Sequence, residues 1–256
     1  MHFYSELVPL EFFKFALVFC RIGAFLMIMP TIGESYISPR VRLLFSLMMT
    51  LVVTPVLAKN LPEMPVTIAG LAVLVGIEIL IGLFLAQIMR ILTTALSTAG
   101  TVIAFVTGFS NAMLFNPLIS SQGSLHSVLL SMLGSVLILA TDMHHLMLRA
   151  IIDSYQLFAP GVMPVVGDMA DTIAKTVAKS FLMGMQLASP FLLLSIMYNV
   201  LLGLLARLMP QLQVFFIGLP LQIMMGVTAL AIGISGLMIW FLRYFAEGIS
   251  PFLSIG

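Results

Sequence analysis

With 61% hydrophobic and 8% charged side chains among 256 residues, and a mean hydropathy of +1.18, the chain lies far outside the soluble range, where about a quarter of residues are charged. It reads as an all-α integral membrane protein whose length is taken up by six to seven apolar runs of about 20 residues, with no room for a separate soluble domain. A formal charge of +1 and a pI near 7.9 exclude the basic footprint of a nucleic-acid binder.

The N-terminal MHFYSELVPLEFFKF has no basic leader and carries Glu6 and Glu11, so it does not read as a cleaved signal peptide and the first helix is expected to stay. Apolar runs then recur at 12–32, 41–57, 66–89, 91–107, 125–148, 177–206 and 221–242. They are expected to be helices, because lipid leaves backbone polar groups only helices or closed barrels, and these runs are too long and uniform for barrel strands. Pro30 with Gly33, Ser38 with Pro39, Pro55, Pro62 with Pro65, Asn116 with Pro117, and Pro160 with Gly161 and Pro164 mark the turns. Cys20 is the single cysteine, so neither an internal disulfide nor a cysteine zinc site can form.

The stretch from Thr93 to Gln122 is crowded with Thr, Ser, Gly and Asn and has no charge. Its centre, GFSNAMLFNPLISSQG at 108–123, is either an exterior loop or a segment folded back into a cavity, since irregular backbone at membrane depth needs cover from protein or water. The apolar insert Ala112–Phe115 favours the cavity. The longest connection, 151–174, carries Asp153, Asp168 and Asp171 and is expected to be solvated. Counting seven spans with the N-terminus outside puts Arg40, Arg42, Arg90, Arg149, Lys175, Lys179 and Arg243 inside, in line with the positive-inside rule.

Ionisable residues within apolar runs cost about 2.5 kcal/mol or more each and must face a partner or water. They are Arg21, Glu78, Asp142, His144 and His145, with His126 near the start of its run. Arg21 and Glu78 are the obvious mates, and a buried pair that fixes helix register is favoured over a proton path. For Asp142, His144 and His145 helical spacing argues against a metal site, because Asp142 and His145 share a face while His144 points away. No nucleophile elbow, phosphate-cradling loop, HExxH or catalytic carboxylate pair is present, so neither enzymatic activity nor a cofactor is expected. The 20 methionines are gap-fillers by default, and the same softness suits a seal around a passing chain.

The run RLMPQLQVFFIGLPLQI, 207–223, places an arginine, three glutamines and two prolines between two apolar segments and reads as the tip of a helical hairpin. Together with RIGAFLMIMP at 21–30, ISPRVRLLFSL at 37–47 and EILIGLFLA at 78–86, it resembles the FliR family of flagellar export proteins over nearly the whole chain. That resemblance implies a core subunit of the type III export gate in the bacterial inner membrane and flagellar basal body, forming part of a channel for unfolded flagellar proteins. It implies FliP and FliQ subunits as neighbours in a mixed assembly, with FlhB-type and FlhA-type subunits nearby. Residues 1–175 would be the FliP-like portion, and 176–256 a FliQ-like hairpin and tail whose tip points to the cytoplasm, against the span count.

The resemblance also makes Gly108, Asn111, Met113, Leu114, Phe115, Asn116 and Pro117, within 106–122, a plug of the closed pore. Arg207, Pro210, Gln211 and Gln213 are expected to form a docking surface at the hairpin tip. Alternatives are the homologous subunit of a virulence secretion system and a small-solute transporter using Arg21, Glu78 and Asp142. A transporter would be expected to show two repeated halves, which the sequence lacks.

Overall fold

The computed structural model describes residues 2–58, 60–109, 124–209 and 214–253, with side chains described from residue 11 onward and, beyond the hairpin tip, from residue 218. Seven α-helices make up almost all of the described chain: α1 (His2–Ile28), α2 (Pro39–Leu57), α3 (Ile68–Val106), α4 (Leu125–Ala140), α5 (Met143–Leu157), α6 (Val166–Leu208) and α7 (Val214–Ile249). A 3₁₀ turn, Ser250–Phe252, follows. No strand occurs among the described residues, as expected of an all-α membrane protein.

Helix α2 shows most directly what solvent the fold is built for. Its buried face carries Ser46, Thr50 and Thr54, whereas Leu44, Met48, Leu51, Val52 and Val56 on the opposite side are 58–74% exposed. Water would penalise that inversion, and lipid tolerates it provided the hydroxyls are satisfied. They are: Ser46 donates to the Leu43 carbonyl, Thr50 to Ser46 and Thr54 to Thr50, at 2.7–2.8 Å within the helix itself.

The apolar runs map onto helices, with four differences. Runs 66–89 and 91–107 are one helix, α3, because Arg90 between them is neither a turn residue nor a helix breaker. The run 125–148 is broken at Thr141–Asp142, where Asp142 takes a left-handed φ of 59° and α5 begins. The connection expected to be solvated from residue 151 instead continues α5 to Leu157, burying Ile151, Ser154 and Tyr155, and only 158–165 link it to α6. The hairpin tip is narrower than its motif, since α6 reaches Leu208 and α7 resumes at Val214.

Among the described residues four helices are long and apolar enough to cross a membrane, and the bent pair α4 and α5 would make a fifth, fewer than the seven spans counted from the sequence. Helix α1 is not among them and carries Glu11, Lys14 and Arg21. At 1.5 Å per residue, the 39, 43 and 36 residues of α3, α6 and α7 correspond to about 58, 64 and 54 Å, well beyond a hydrocarbon core of about 30 Å.

The chain divides into two compact units, each drawn from separate stretches of sequence. The first comprises 1–92, 138–176 and 246–256. Its core is a repeating i, i+3, i+4 stripe: Leu17, Val18, Ile22, Phe25 and Leu26 on α1 with Met29 just past its end, Ile81, Leu85, Ile88 and Met89 on α3, and Met147, Ala150 and Ile151 on α5, all at most 1% exposed.

The second unit comprises 93–137 and 177–245. Ala95, Leu96, Ala99 and Ile103 of α3 form its buried stripe, with Met183, Leu187 and Ala188 of α6 and Phe241 of α7. Here α6 and α7 run as an antiparallel hairpin: the Tyr198 hydroxyl donates to the Gly218 carbonyl at 2.5 Å, and Leu202 lies against the same glycine.

Candidate functional site

The first unit brings the two expected charges together. Arg21 of α1 and Glu78 of α3 are fully buried, and the guanidinium meets the carboxylate as a fork: Nε donates to Oε2 at 2.6 Å and Nη2 to Oε1 at 3.1 Å. The sequence pointed to this pair and stopped there. A third helix completes it, because Nη1 donates to the Ser154 hydroxyl at 3.3 Å, and Nη1 and Nη2 both donate to the Phe158 carbonyl at 3.2 Å.

A guanidinium has five N–H groups, and these five contacts use all of them. Ser154 relays the contact by donating to the Ile151 carbonyl at 2.6 Å, so its oxygen is free to accept from Arg21. Phe158 caps the C-terminus of α5, where carbonyls run out of helical partners and a cation is favoured by the helix dipole. The Tyr155 ring lies 4.0 Å from the guanidinium carbon, adding a cation–π face. Phe84 packs edge-to-face against Phe158 at 6.0 Å and Phe252 at 6.4 Å, which fixes the residue whose carbonyl Arg21 needs.

Chemically this is a lock. Every guanidinium proton is committed, the charges are neutralised in place, and three helices are tied at one point. Ser154, Tyr155 and Phe158 lie in a stretch whose aspartates, Asp153, Asp168 and Asp171, suggest solvent. The signal for burial was present in the helical spacing of Met147, Ile151, Ser154 and Tyr155.

The second unit holds both flanks of the expected plug. Gln222 of α7 donates through Nε2 to the Val106 carbonyl at 2.9 Å, and its amide lies 3.4 Å from where a Cβ on Gly108 would stand. Gly108 itself has a φ of 76°, a conformation that suits glycine where the chain leaves α3. On the far flank, the Ser124 hydroxyl caps α4 by accepting from the Ser127 N–H at 3.1 Å, and donates to the Gly100 carbonyl at 3.3 Å. Phe109 meets His126 edge-to-face at 5.0 Å, linking the two ends.

Asn111, Met113, Leu114, Phe115, Asn116 and Pro117 lie outside the described residues, as do Pro210, Gln211 and Gln213. Arg207 is exposed in the last turn of α6. Gln222 belongs to the same motif as Gln211 and Gln213, and its role was invisible in the sequence because its partner is a backbone carbonyl.

Asp142 and His145 pair at 3.4 Å, and the rings of His144 and His145 lie 4.1 Å apart. The expectation that His144 points away assumed one helix through all three residues. Asp142 is instead turned out in its left-handed conformation ahead of α5, and all three side chains converge.

This architecture has relatives. The family described as "Bacterial export proteins, family 1" matches residues 12–248. The flagellar biosynthetic protein FliR of Caulobacter vibrioides is 41% identical over 230 residues, 90% of this chain and 92% of the relative. The chain belongs to the FliR family of bacterial export proteins. FliR of Bacillus subtilis is 31% identical over 212 residues, covering 82% of this chain and 81% of its own. Yop proteins translocation protein T of Yersinia pestis is 26% identical over 223 residues, covering 85% and 84%. As a FliR-family chain it carries both the Arg21 lock and the Gln222 anchor inside the matched region.

Proposed function

We propose that this chain is a component of the flagellar type III export apparatus in the bacterial inner membrane, and a core subunit of the gate through which unfolded flagellar proteins pass. The observation that carries this reading is the 41% identity to a flagellar biosynthetic protein across nine-tenths of both chains. The virulence relative stands at 26%, which favours the flagellar system over its homologue.

The physical features agree. Apolar faces such as Leu193, Ile196, Met197, Val200 and Leu204 on α6 are exposed, as surfaces meant for lipid or neighbouring subunits must be. Helices of 36–43 residues exceed one bilayer crossing, which suits an assembly that stands partly above the membrane plane. A small-solute transporter finds less support. Arg21 and Glu78 are sealed in one cluster while Asp142 is exposed in another, and the cavities of about 440 and 420 Å³ in the first unit are lined mainly by apolar side chains.

In this reading FliP-type and FliQ-type subunits complete the channel, with residues 1–175 FliP-like and 176–256 FliQ-like, and no catalysis is required. Arg207, Pro210, Gln211 and Gln213 dock an FlhB-type subunit, with FlhA-type subunits beyond. Gentle solubilisation should recover the chain in a large mixed assembly, and Arg207→Ala with Gln211→Ala should release the FlhB-type partner and abolish export. A monomer or dimer, or unchanged partner recovery with normal export, argues against the gate and the docking surface respectively.

The segment 108–123 obstructs the resting pore in this scheme. Its lack of charge around Met113, Leu114 and Phe115 supports the role, as does the anchoring of its flanks by Gln222 and Ser124. Deleting 113–117 should make cells that overproduce the gate leak small ions and solutes. If the shortened protein assembles and membranes stay tight, the segment is not the seal.

A further inference from the structure

One cluster of ligand-type side chains has no part in the lock, the hairpin or the segment flanks. At the break between α4 and α5, Asp142, His144 and His145 each bring one ligand atom within 4.8 Å of the others. The Asp142 carboxylate and His145 Nδ1, at 3.4 Å, already span one edge of a tetrahedral site, since bonds of about 2.0–2.2 Å put neighbouring ligands about 3.3–3.6 Å apart. The third ligand atom, on His144, lies within 4.8 Å of both. The His144 ring stands 4.1 Å from that of His145, and its Nδ1 has no hydrogen-bond partner among the described residues. The one nearby cation on the same helix, Arg149, is engaged one turn further on by Asp153 at 3.5 Å, so it does not compete for Asp142.

Two imidazoles and one carboxylate form a borderline nitrogen and oxygen donor set suited to Zn²⁺ and its neighbours, and poor for Mg²⁺ or Ca²⁺, which ask for oxygen ligands. We propose that Asp142, His144 and His145 bind one zinc-type divalent cation, with water in the open coordination position. The backbone explains why sequence spacing missed the site. A continuous helix would carry His144 away from its neighbours, and the left-handed turn at Asp142 brings the carboxylate back over the first turn of α5. A bound ion would hold that turn in place at the point where the chain changes direction.

The test uses the full chain in detergent, purified without a polyhistidine tag and titrated with Co²⁺, whose visible absorption reports few-coordinate nitrogen and oxygen ligation, followed by displacement with Zn²⁺. One equivalent should bind saturably in the wild type. Because loss of a mere outer-shell partner costs 10–100-fold in metal affinity, His144→Ala, His145→Ala and Asp142→Asn should each weaken binding by on the order of 10-fold or more. His2→Gln, far away in sequence, should leave it unchanged. Absence of saturable Co²⁺ uptake by the wild type overturns the proposal, and so does uptake that survives in the His144→Ala, His145→Ala double variant. Asp142 and His145 are exposed, so their variants should fold and the outcome stays readable.

Discussion

Replacing Arg21 by methionine should destabilise the protein by about 3–5 kcal/mol, because it leaves the Glu78 carboxylate buried with no opposite charge. Glu78→Gln should cost less than Arg21→Met, since a neutral amide oxygen still accepts from the guanidinium, yet the arginine charge then stands alone in the core. From the pair alone, apolar residues of similar size at both positions would be nearly neutral, and the double variant Arg21→Met, Glu78→Gln removes both charges while keeping one polar group. The structure moves that expectation. Arg21 also serves the part-buried Phe158 carbonyl and Ser154, so the double variant leaves these acceptors and the new buried amide at position 78 without their donor and should retain a loss of about 1–3 kcal/mol. Unfolding midpoints in detergent for the two single variants and the double give the cycle directly. A double variant that assembles with full stability yet exports nothing would instead make the pair a proton path.

That extra partner shows where sequence reasoning ends. Arg21 and Glu78 were legible because each is a charge in an apolar run, and desolvation leaves such charges few options but each other. The Phe158 carbonyl is a backbone atom and has no letter. The same holds for Gln222, whose partner is the Val106 carbonyl, and for Gly100, whose neighbour is the backbone of Ser127.

Helix existence was legible from hydrophobicity, and helix ends were not. The lack of any turn residue at Arg90 was the one sign that α3 runs on, and nothing in the letters around Asp142 announced a left-handed turn. The mistaken solvated connection has a different cause. Three aspartates in 151–174 outweighed the helical spacing of Ile151, Ser154 and Tyr155, although only Asp153 lies on α5, where it pairs with Arg149 at 3.5 Å across one turn. Asp142, His144 and His145 converge against helical spacing because Asp142 lies outside α5, where the shared-face rule has no hold.

The other large effect is expected at Gly82, which sits on α3 one turn beyond Glu78. A Cβ there would lie 2.3 Å from the Arg21 carbonyl oxygen and 3.1 Å from the Ala24 side chain, whereas ordinary carbon–oxygen contacts are about 3.3–3.6 Å. The obstacle is backbone, so no rotamer relieves it. To accept Gly82→Ala, α1 and α3 must separate by about 1 Å at the residue that carries the guanidinium, and a 2.6 Å ion pair does not survive that displacement with its geometry intact. Overpacking alone costs about 1–3 kcal/mol, and the loosened pair adds to it, so this methyl group should approach the cost of deleting the charge. Gly76 on the same helix supplies the control, because a Cβ there meets nothing within 4 Å. Gly76→Ala should be neutral, or stabilising by up to about 1 kcal/mol through helix propensity alone. Thermal unfolding of the two variants side by side in detergent separates the effects: a Gly82→Ala midpoint no lower than that of Gly76→Ala would mean that close approach of α1 and α3 does not hold the buried pair together.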